Sequence, residues 1–243
     1  MLEGLYSAAA GMSAEQLQLD AISNDLANLS TSGYKSERVA FSDLLYNKVN
    51  SSGTETTTGA GARAVLLGRS ATQGTIQATG NPLDLALEGP GYFQVTRANG
   101  QRALTRNGAF EVDAEGSLAT AEGDRIYPPI KVPAGVSGGE VRISPDGTVT
   151  ARGKTIGKIS VVTVTSPDHL RGEGASLLSA TTESGEPQAS TAAKIQQGAL
   201  EGSNVNVGHD MATMMSTERS FQMASTAIQT ESQMMSIANQ LRA

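Results

Sequence analysis

The chain contains no cysteine and no tryptophan, and it has only two histidines among its 243 residues. The lack of cysteine excludes disulfide bonds, thiolate catalysis and cysteine-ligated metal sites. Aromatic residues make up 4% of the chain, which argues against a deep, aromatic-lined ligand pocket. Basic residues number 18 against 24 acidic ones and do not cluster, so the composition argues against a nucleic-acid-binding surface.

Long hydrophobic runs are also missing. No segment reaches the roughly 18 apolar residues that a transmembrane helix needs, so we expect no direct membrane insertion. The first residues lack the basic region of a cleavable secretory signal, and Glu3 and Gly4 come early. The sequence therefore predicts a soluble protein without a cleavable signal peptide.

Motifs for catalysis and ligand binding are incomplete. The segment Gly147–Thr155 resembles a phosphate-binding loop, but five residues rather than four separate Gly147 from Gly153, and β-branched residues rather than a helix follow it. Neither His169 nor His209 lies in a catalytic setting, and no nucleophile turn of the G-x-S-x-G type is present. The sequence predicts no catalytic residue, no cofactor and no metal ligand.

Each end of the chain carries an apolar heptad repeat instead. A seven-residue spacing with companion positions three or four residues on is typical of a helix that pairs with other helices. The predicted helices run from about Glu3 to Asn28 and from about Val205 to Arg242, and the methionines of the second helix are interpreted as packing residues. The heptad positions are Leu5, Met12, Leu19 and Leu26, with Ile22 beside them, and then Met214, Phe221, Ile228 and Met235.

The middle of the chain has a different pattern. From about Arg63 to Ala199 apolar residues alternate with polar ones, and turn signals arrive every eight to twelve residues, which favours short antiparallel strands. The sequence thus predicts an α+β protein whose long terminal helices form a coiled-coil-type domain, with a central all-β domain. The predicted division is 1–35 for the first half of the helical domain, 36–62 for a connector and polar linker, 63–200 for the β domain and 201–243 for the second helical half.

Several motifs carry a resemblance to a known family. Gly33 lies near the end of the first of them, where a left-handed glycine is expected to close the helix. The motifs are Asn24–Lys35, Thr79–Leu87, Gly89–Phe93, Leu104–Phe110 and Gly202–Val207.

In this combination the chain resembles the flagellar rod and hook family of axial proteins. Asp25 stands where the family usually has asparagine, and Tyr34 stands where it usually has phenylalanine. The segment Phe41–Tyr46 looks like the distal rod type within the family. The proximal rod, or another hook-basal-body subunit, is the alternative within the family; a secreted β-domain binding module and an axial muralytic enzyme are alternatives outside it.

The resemblance implies a structural subunit of the flagellar basal body. Its terminal helices would form an inner tube with the β domain outside, and its partners would be copies of itself, other rod and hook proteins and the flagellar type III export apparatus. Export by that route would explain the missing signal peptide. The residues expected at the assembly interface are the heptad positions Leu5, Met12, Leu19, Ile22, Leu26, Met214, Phe221, Ile228 and Met235, together with Asn24 and Asn28 of the first motif.

Overall fold

The computed structural model describes residues 2–44, 47–51, 54–59, 61–190 and 192–242. The chain forms two compact units. The helical unit comprises Met1–Leu26, Glu37–Leu67 and Asn206–Ala243, and the β unit comprises Ala27–Ser36 and Gly68–Val205. The chain therefore contributes two separate stretches to the β unit, one on each side of the segment Glu37–Leu67.

Two long helices lie at the ends of the chain, as the heptad pattern predicts. Helix α1 spans Leu2–Ala27 and helix α2 spans Val207–Arg242. After α1, the Thr31 amide donates to the Asn28 carbonyl at 3.1 Å, and Gly33 adopts a φ of +70°. The left-handed conformation predicted for Gly33 is confirmed, but the helix ends at Ala27, six residues earlier, so Gly33 does not close it.

Two antiparallel ribbons occupy much of the segment that the sequence assigned to a connector and linker. Strand β1 (Glu37–Asp43) pairs with β4 (Ala62–Arg69), and β2 (Asn47–Ser51) pairs with β3 (Thr54–Thr58). The threonines of β3 are β-branched and favour an extended backbone, which the polar composition conceals. Leu45 and Tyr46, the end of the segment that looks like the distal rod type, lie outside the described residues.

The β unit contains one large antiparallel sheet. Its strands are β7 Tyr92–Thr96, β8 Arg102–Thr105, β9 Phe110–Val112, β10 Leu118–Thr120, β11 Arg125–Ile126, β15 Val161–Thr163, β16 Arg171–Gly174, β17 Leu177–Ser179 and β18 Gln188–Ala189. They follow the order β16-β17-β8-β7-β11-β10-β9, and β15 pairs with both β7 and β18.

Smaller sheets complete the β unit. Their strands are β5 Ile76–Ala78, β6 Leu85–Glu88, β12 Val141–Ile143, β13 Thr148–Ala151, β14 Lys154–Lys158, β19 Lys194–Gln197 and β20 Ala199–Glu201. The order β12-β13-β14 forms one sheet, and the pairs β6-β19 and β5-β20 form two others. Short 3-10 turns span Gly138–Glu140 and Pro167–His169.

The core of the β unit lies between these sheets. The rings of Phe93 and Phe110 meet edge to face, with centroids 5.4 Å apart. Aliphatic side chains such as Leu85, Val149 and Ile159 fill the space around them. The predicted α+β class with a central antiparallel β domain is therefore confirmed.

Candidate assembly surfaces and a buried ionic cluster

The heptad positions of α1 share one partly covered stripe. Leu5, Met12, Leu19 and Leu26 are half-buried, and Ile22 is buried. Glu15, which falls on the same stripe, is also half-buried, and this burial raises the pKa of its carboxyl group. Of the two asparagines predicted at the interface, Asn24 is exposed on the helix and Asn28 is half-buried just after it.

Helix α2 carries a matching stripe. Met214, Phe221, Ile228 and Met235 are half-buried, and Thr217, between the first two, is buried. The two helices approach each other at one point, because a Cβ atom added to Gly4 would lie 3.3 Å from Glu231 Oε2. The stripes of both helices are thus partly covered within a single chain.

A second face of α1 is covered more tightly, and no sequence pattern predicted it. Ala14, Ala21 and Asp25 are buried. A Cβ atom added to Gly61, just before β4, would lie 3.1 Å from the Cβ of Ala10. Asp25 Oδ1 accepts a hydrogen bond from the Glu37 amide at 3.0 Å. Small alanines therefore let the chain around β1 and β4 pack closely on α1.

The opposite face of α2 is exposed and carries large apolar side chains among serine and threonine residues. Met223 lies two residues after Phe221, which places it about 200° around the helix, and 66% of its surface is exposed. Met234 lies eleven residues further on, about three turns along the same face, and is also exposed. We call this surface the outer methionine face; its exposed large side chains are Met215, Met223, Met234 and Ile237.

A cluster of three charged side chains lies inside the β unit. Glu201 Oε1 is 2.6 Å from Lys35 Nζ, and Glu201 Oε2 is 2.9 Å from Arg106 Nη1. The side chains of Lys35, Arg106 and Glu201 are 4%, 4% and 0% exposed. Two cations thus share one anion away from water, in an environment where an unpaired charge is costly.

Backbone groups also form hydrogen bonds with this cluster. Lys35 Nζ donates to the Thr72 carbonyl at 2.6 Å, and the Gly74 amide donates to Glu201 Oε1 at 2.9 Å. Arg106 donates to the carbonyls of Leu87 at 3.2 Å and Gly89 at 2.6 Å. Burial nevertheless lowers the pKa of Lys35 from its ordinary value of 10.5, although its hydrogen bond to Glu201 acts in the opposite direction.

The same region joins two segments that lie next to the terminal helices in the chain. We call residues 33–36, which follow α1, the first junction, and residues 199–204, which precede α2, the second junction. The Gly33 amide donates to the Glu201 carbonyl at 2.8 Å, and the Ser36 amide donates to Asn204 Oδ1 at 2.8 Å. Gly33 fits tightly, since an added Cβ atom would lie 2.4 Å from the Asn107 amide nitrogen. Residues of three sequence motifs therefore meet here, which the motifs alone did not reveal.

The remaining sequence candidates form no site. Gly147–Thr155 is the turn and hairpin of β13 and β14, and the His169 and His209 side chains are exposed. Within the described residues, no three or more potential metal-ligating side chains gather into a group. None of the helices in the described part of the chain is long and apolar enough to cross a membrane.

Family models match three stretches of the chain. Residues 5–35 match the model "Flagella basal body rod protein", and residues 86–151 match "Flagellar hook protein FlgE/F/G D1 domain". Residues 196–241 match "Flagellar basal body rod FlgEFG protein C-terminal". The first stretch contains Lys35, the second Arg106 and the third Glu201, so each contributes one member of the buried cluster.

Curated relatives match over the whole length. The flagellar basal-body rod protein FlgG of Borreliella burgdorferi is 33% identical over 263 residues, covering 100% of this chain and 99% of the relative. FlgG of Buchnera aphidicola from Acyrthosiphon pisum is 34% identical over 262 residues, covering 99% of this chain and 100% of the relative. The flagellar hook-basal body complex protein FlhP of Bacillus subtilis is 29% identical, covering 100% of both. The chain therefore belongs to the flagellar basal-body rod protein family, as a structural subunit of the FlgG, distal rod, type.

Proposed function

We propose that this rod subunit polymerises through its terminal helices. The stripe of Leu19 on α1 and the stripe of Phe221 on α2 pair in the manner of a coiled coil, and the outer methionine face contacts the helices of neighbouring subunits. The helical array so formed is the axial shaft of the flagellar basal body.

The two-sided character of α2 is the observation that carries this proposal. A helix that served only its own subunit would need a single apolar face, with polar residues opposite. Here the Phe221 stripe is partly covered within the chain, whereas Met223 and Met234 on the other side are exposed. Several large apolar side chains exposed on one helix face indicate an interaction site, and methionine adapts to irregular gaps between helices.

Charge variants on α2 test the proposal. Met223→Asp and Met234→Asp place a carboxylate on the outer methionine face, where burial between subunits would cost several kcal/mol per contact. We expect both variants to be made and exported but to leave rods incomplete, as seen by electron microscopy of isolated basal bodies. Gln229→Asp is the matched control, because Gln229 is exposed on the same helix and lies between the two apolar faces. Complete rods with both methionine variants would refute the role of this face.

The partners follow from family membership. We propose that the neighbours in the shaft are copies of this chain and other flagellar rod and hook proteins, and that the flagellar type III apparatus exports the subunit to the basal body. The relatives named FlgG favour the distal rod over the proximal rod as the position of this subunit. Retention of the subunit in cells whose flagellar export gate is inactive would support the route, and unchanged delivery in such cells would contradict it.

A further inference from the structure

We propose that Lys35, Arg106 and Glu201 form a clamp that opens and closes the first and second junctions of the β unit as one event. In this view the segment that follows α1 and the segment that precedes α2 are ordered together or not at all. The clamp is separate from the apolar surfaces that assemble the rod.

The position of the clamp in the chain supports this role. Gly33 lies six residues after the end of α1, and Glu201 lies six residues before the start of α2. The two residues are joined by the hydrogen bond from the Gly33 amide to the Glu201 carbonyl. Opening of one junction therefore removes a backbone partner from the other.

The charges make this coupling strong. Glu201 is the shared anion of two buried cations and also accepts the Gly74 amide. If Glu201 moves away, Lys35 and Arg106 are left buried without an anion; carbonyl oxygens and, for Arg106, the Tyr92 ring remain beside them, which is unfavourable for two like charges. If Lys35 moves away, Glu201 loses its 2.6 Å contact. Partial opening of either junction thus weakens the other.

Hydrogen bonds of Asn204 extend the clamp beyond the three charged side chains. Asn204 accepts from the Ser36 amide through Oδ1 and donates through Nδ2 to the Thr72 carbonyl at 3.1 Å. The Thr72 carbonyl also accepts from Lys35. The clamp therefore links both junctions to a third stretch, 72–74, and all three are remote from one another in sequence.

An exposed ion pair elsewhere in the β unit lacks these properties. Arg152 and Glu140 form a pair whose side chains are 58% and 42% exposed, and such pairs contribute little because water screens them. Glu140→Gln is therefore a control of the same chemical type as Glu201→Gln, without the buried partners.

Hydrogen exchange of the full chain, followed segment by segment, tests the clamp. In Lys35→Met we expect the amides of both junctions to exchange faster together, by a similar factor of about tenfold or more, while β7 and β8 keep their protection. In Glu201→Gln the same segments should open further, by about 100-fold or more, because two cations lose their anion. Glu140→Gln should leave all these segments unchanged.

The Lys35→Met variant decides the question even if Glu201→Gln unfolds the whole β unit. Faster exchange confined to the first junction, with the second unchanged, would overturn the proposal, since it would show that the junctions open independently. An equal loss of protection in β7 and β8 would also overturn it, because the residues would then contribute only to global stability.

Discussion

Lys35 Nζ lies 2.6 Å from Glu201 Oε1, although 166 positions separate the two residues in the chain. Arg106 approaches the other oxygen of the same carboxylate. These residues come from three separately recognised family stretches. The stretches that mark the chain as a rod protein therefore contain the buried ionic cluster of the β unit as well as the terminal helices.

The cluster predicts an order of stabilities among its variants. Glu201→Gln should lower the free energy of unfolding most, by about 3–5 kcal/mol, because it removes the anion from two buried cations. Lys35→Met should cost less, since it leaves Arg106 and Glu201 as a neutral pair. Urea unfolding, monitored by a spectroscopic signal of the β unit, measures the free energy of unfolding of both variants, with Glu140→Gln as the control. A smaller loss for Glu201→Gln than for Lys35→Met would contradict the assignment of Glu201 as the shared anion.

The lowered pKa of Lys35 predicts a pH dependence. Below its folded pKa, Lys35 is charged in both the folded and the unfolded chain, so it contributes no pH dependence to the free energy of unfolding. Between that lowered value and the ordinary 10.5, the unfolded chain binds more protons, and the free energy of unfolding rises with pH. Wild type should therefore gain stability relative to Lys35→Met as the pH increases toward 10.5. A constant or falling difference between the two proteins would show that Lys35 is not destabilised by burial.

Gly33 should tolerate no side chain, for two separable reasons. Its φ is +70° and an added Cβ atom would lie 2.4 Å from the Asn107 amide nitrogen. Gly100 has a φ of +81° but open space around it, so Gly100→Ala should show only the backbone cost of about 1–2 kcal/mol. Gly33→Ala should lower the free energy of unfolding by clearly more, and urea unfolding of both variants measures the difference. Equal losses for the two alanine variants would mean that the close approach of the two motifs contributes nothing.

The two faces of α2 should respond differently in the isolated monomer. Phe221→Asp should lower the thermal midpoint of the helical circular dichroism signal, because Phe221 is partly covered within the chain. Met223→Asp should leave that midpoint nearly unchanged, since its side chain already faces solvent. The opposite order would indicate that the faces are exchanged, with the methionines packed inside the subunit.

Periodicity was sufficient to predict some parts of the fold. The heptads of Leu19 and Phe221 predicted both long helices, and the two-residue alternation with frequent turns predicted the central antiparallel domain. These patterns are local, so one sequence contains them in full.

Other features depend on contacts between remote segments. Lys35, Arg106 and Glu201 lie in or beside motifs, but nothing in their spacing shows that they meet. The ribbon of β2 and β3 was hidden because serine and threonine are typical of linkers as well as of edge strands. Ala14 and Ala21 gave no signal either, since small residues indicate close packing only when the neighbouring strand is known.

Electron microscopy of basal bodies tests the central claim, assembly through the terminal helices, most directly. Leu19→Asp, Phe221→Asp and Gln229→Asp would each replace the native subunit in cells, and isolated basal bodies would be scored for complete rods. We predict complete rods with Gln229→Asp, and rods that stop before this subunit's position with Leu19→Asp and with Phe221→Asp, although each subunit keeps a folded β unit. Complete rods and normal motility with both Leu19→Asp and Phe221→Asp would contradict the account.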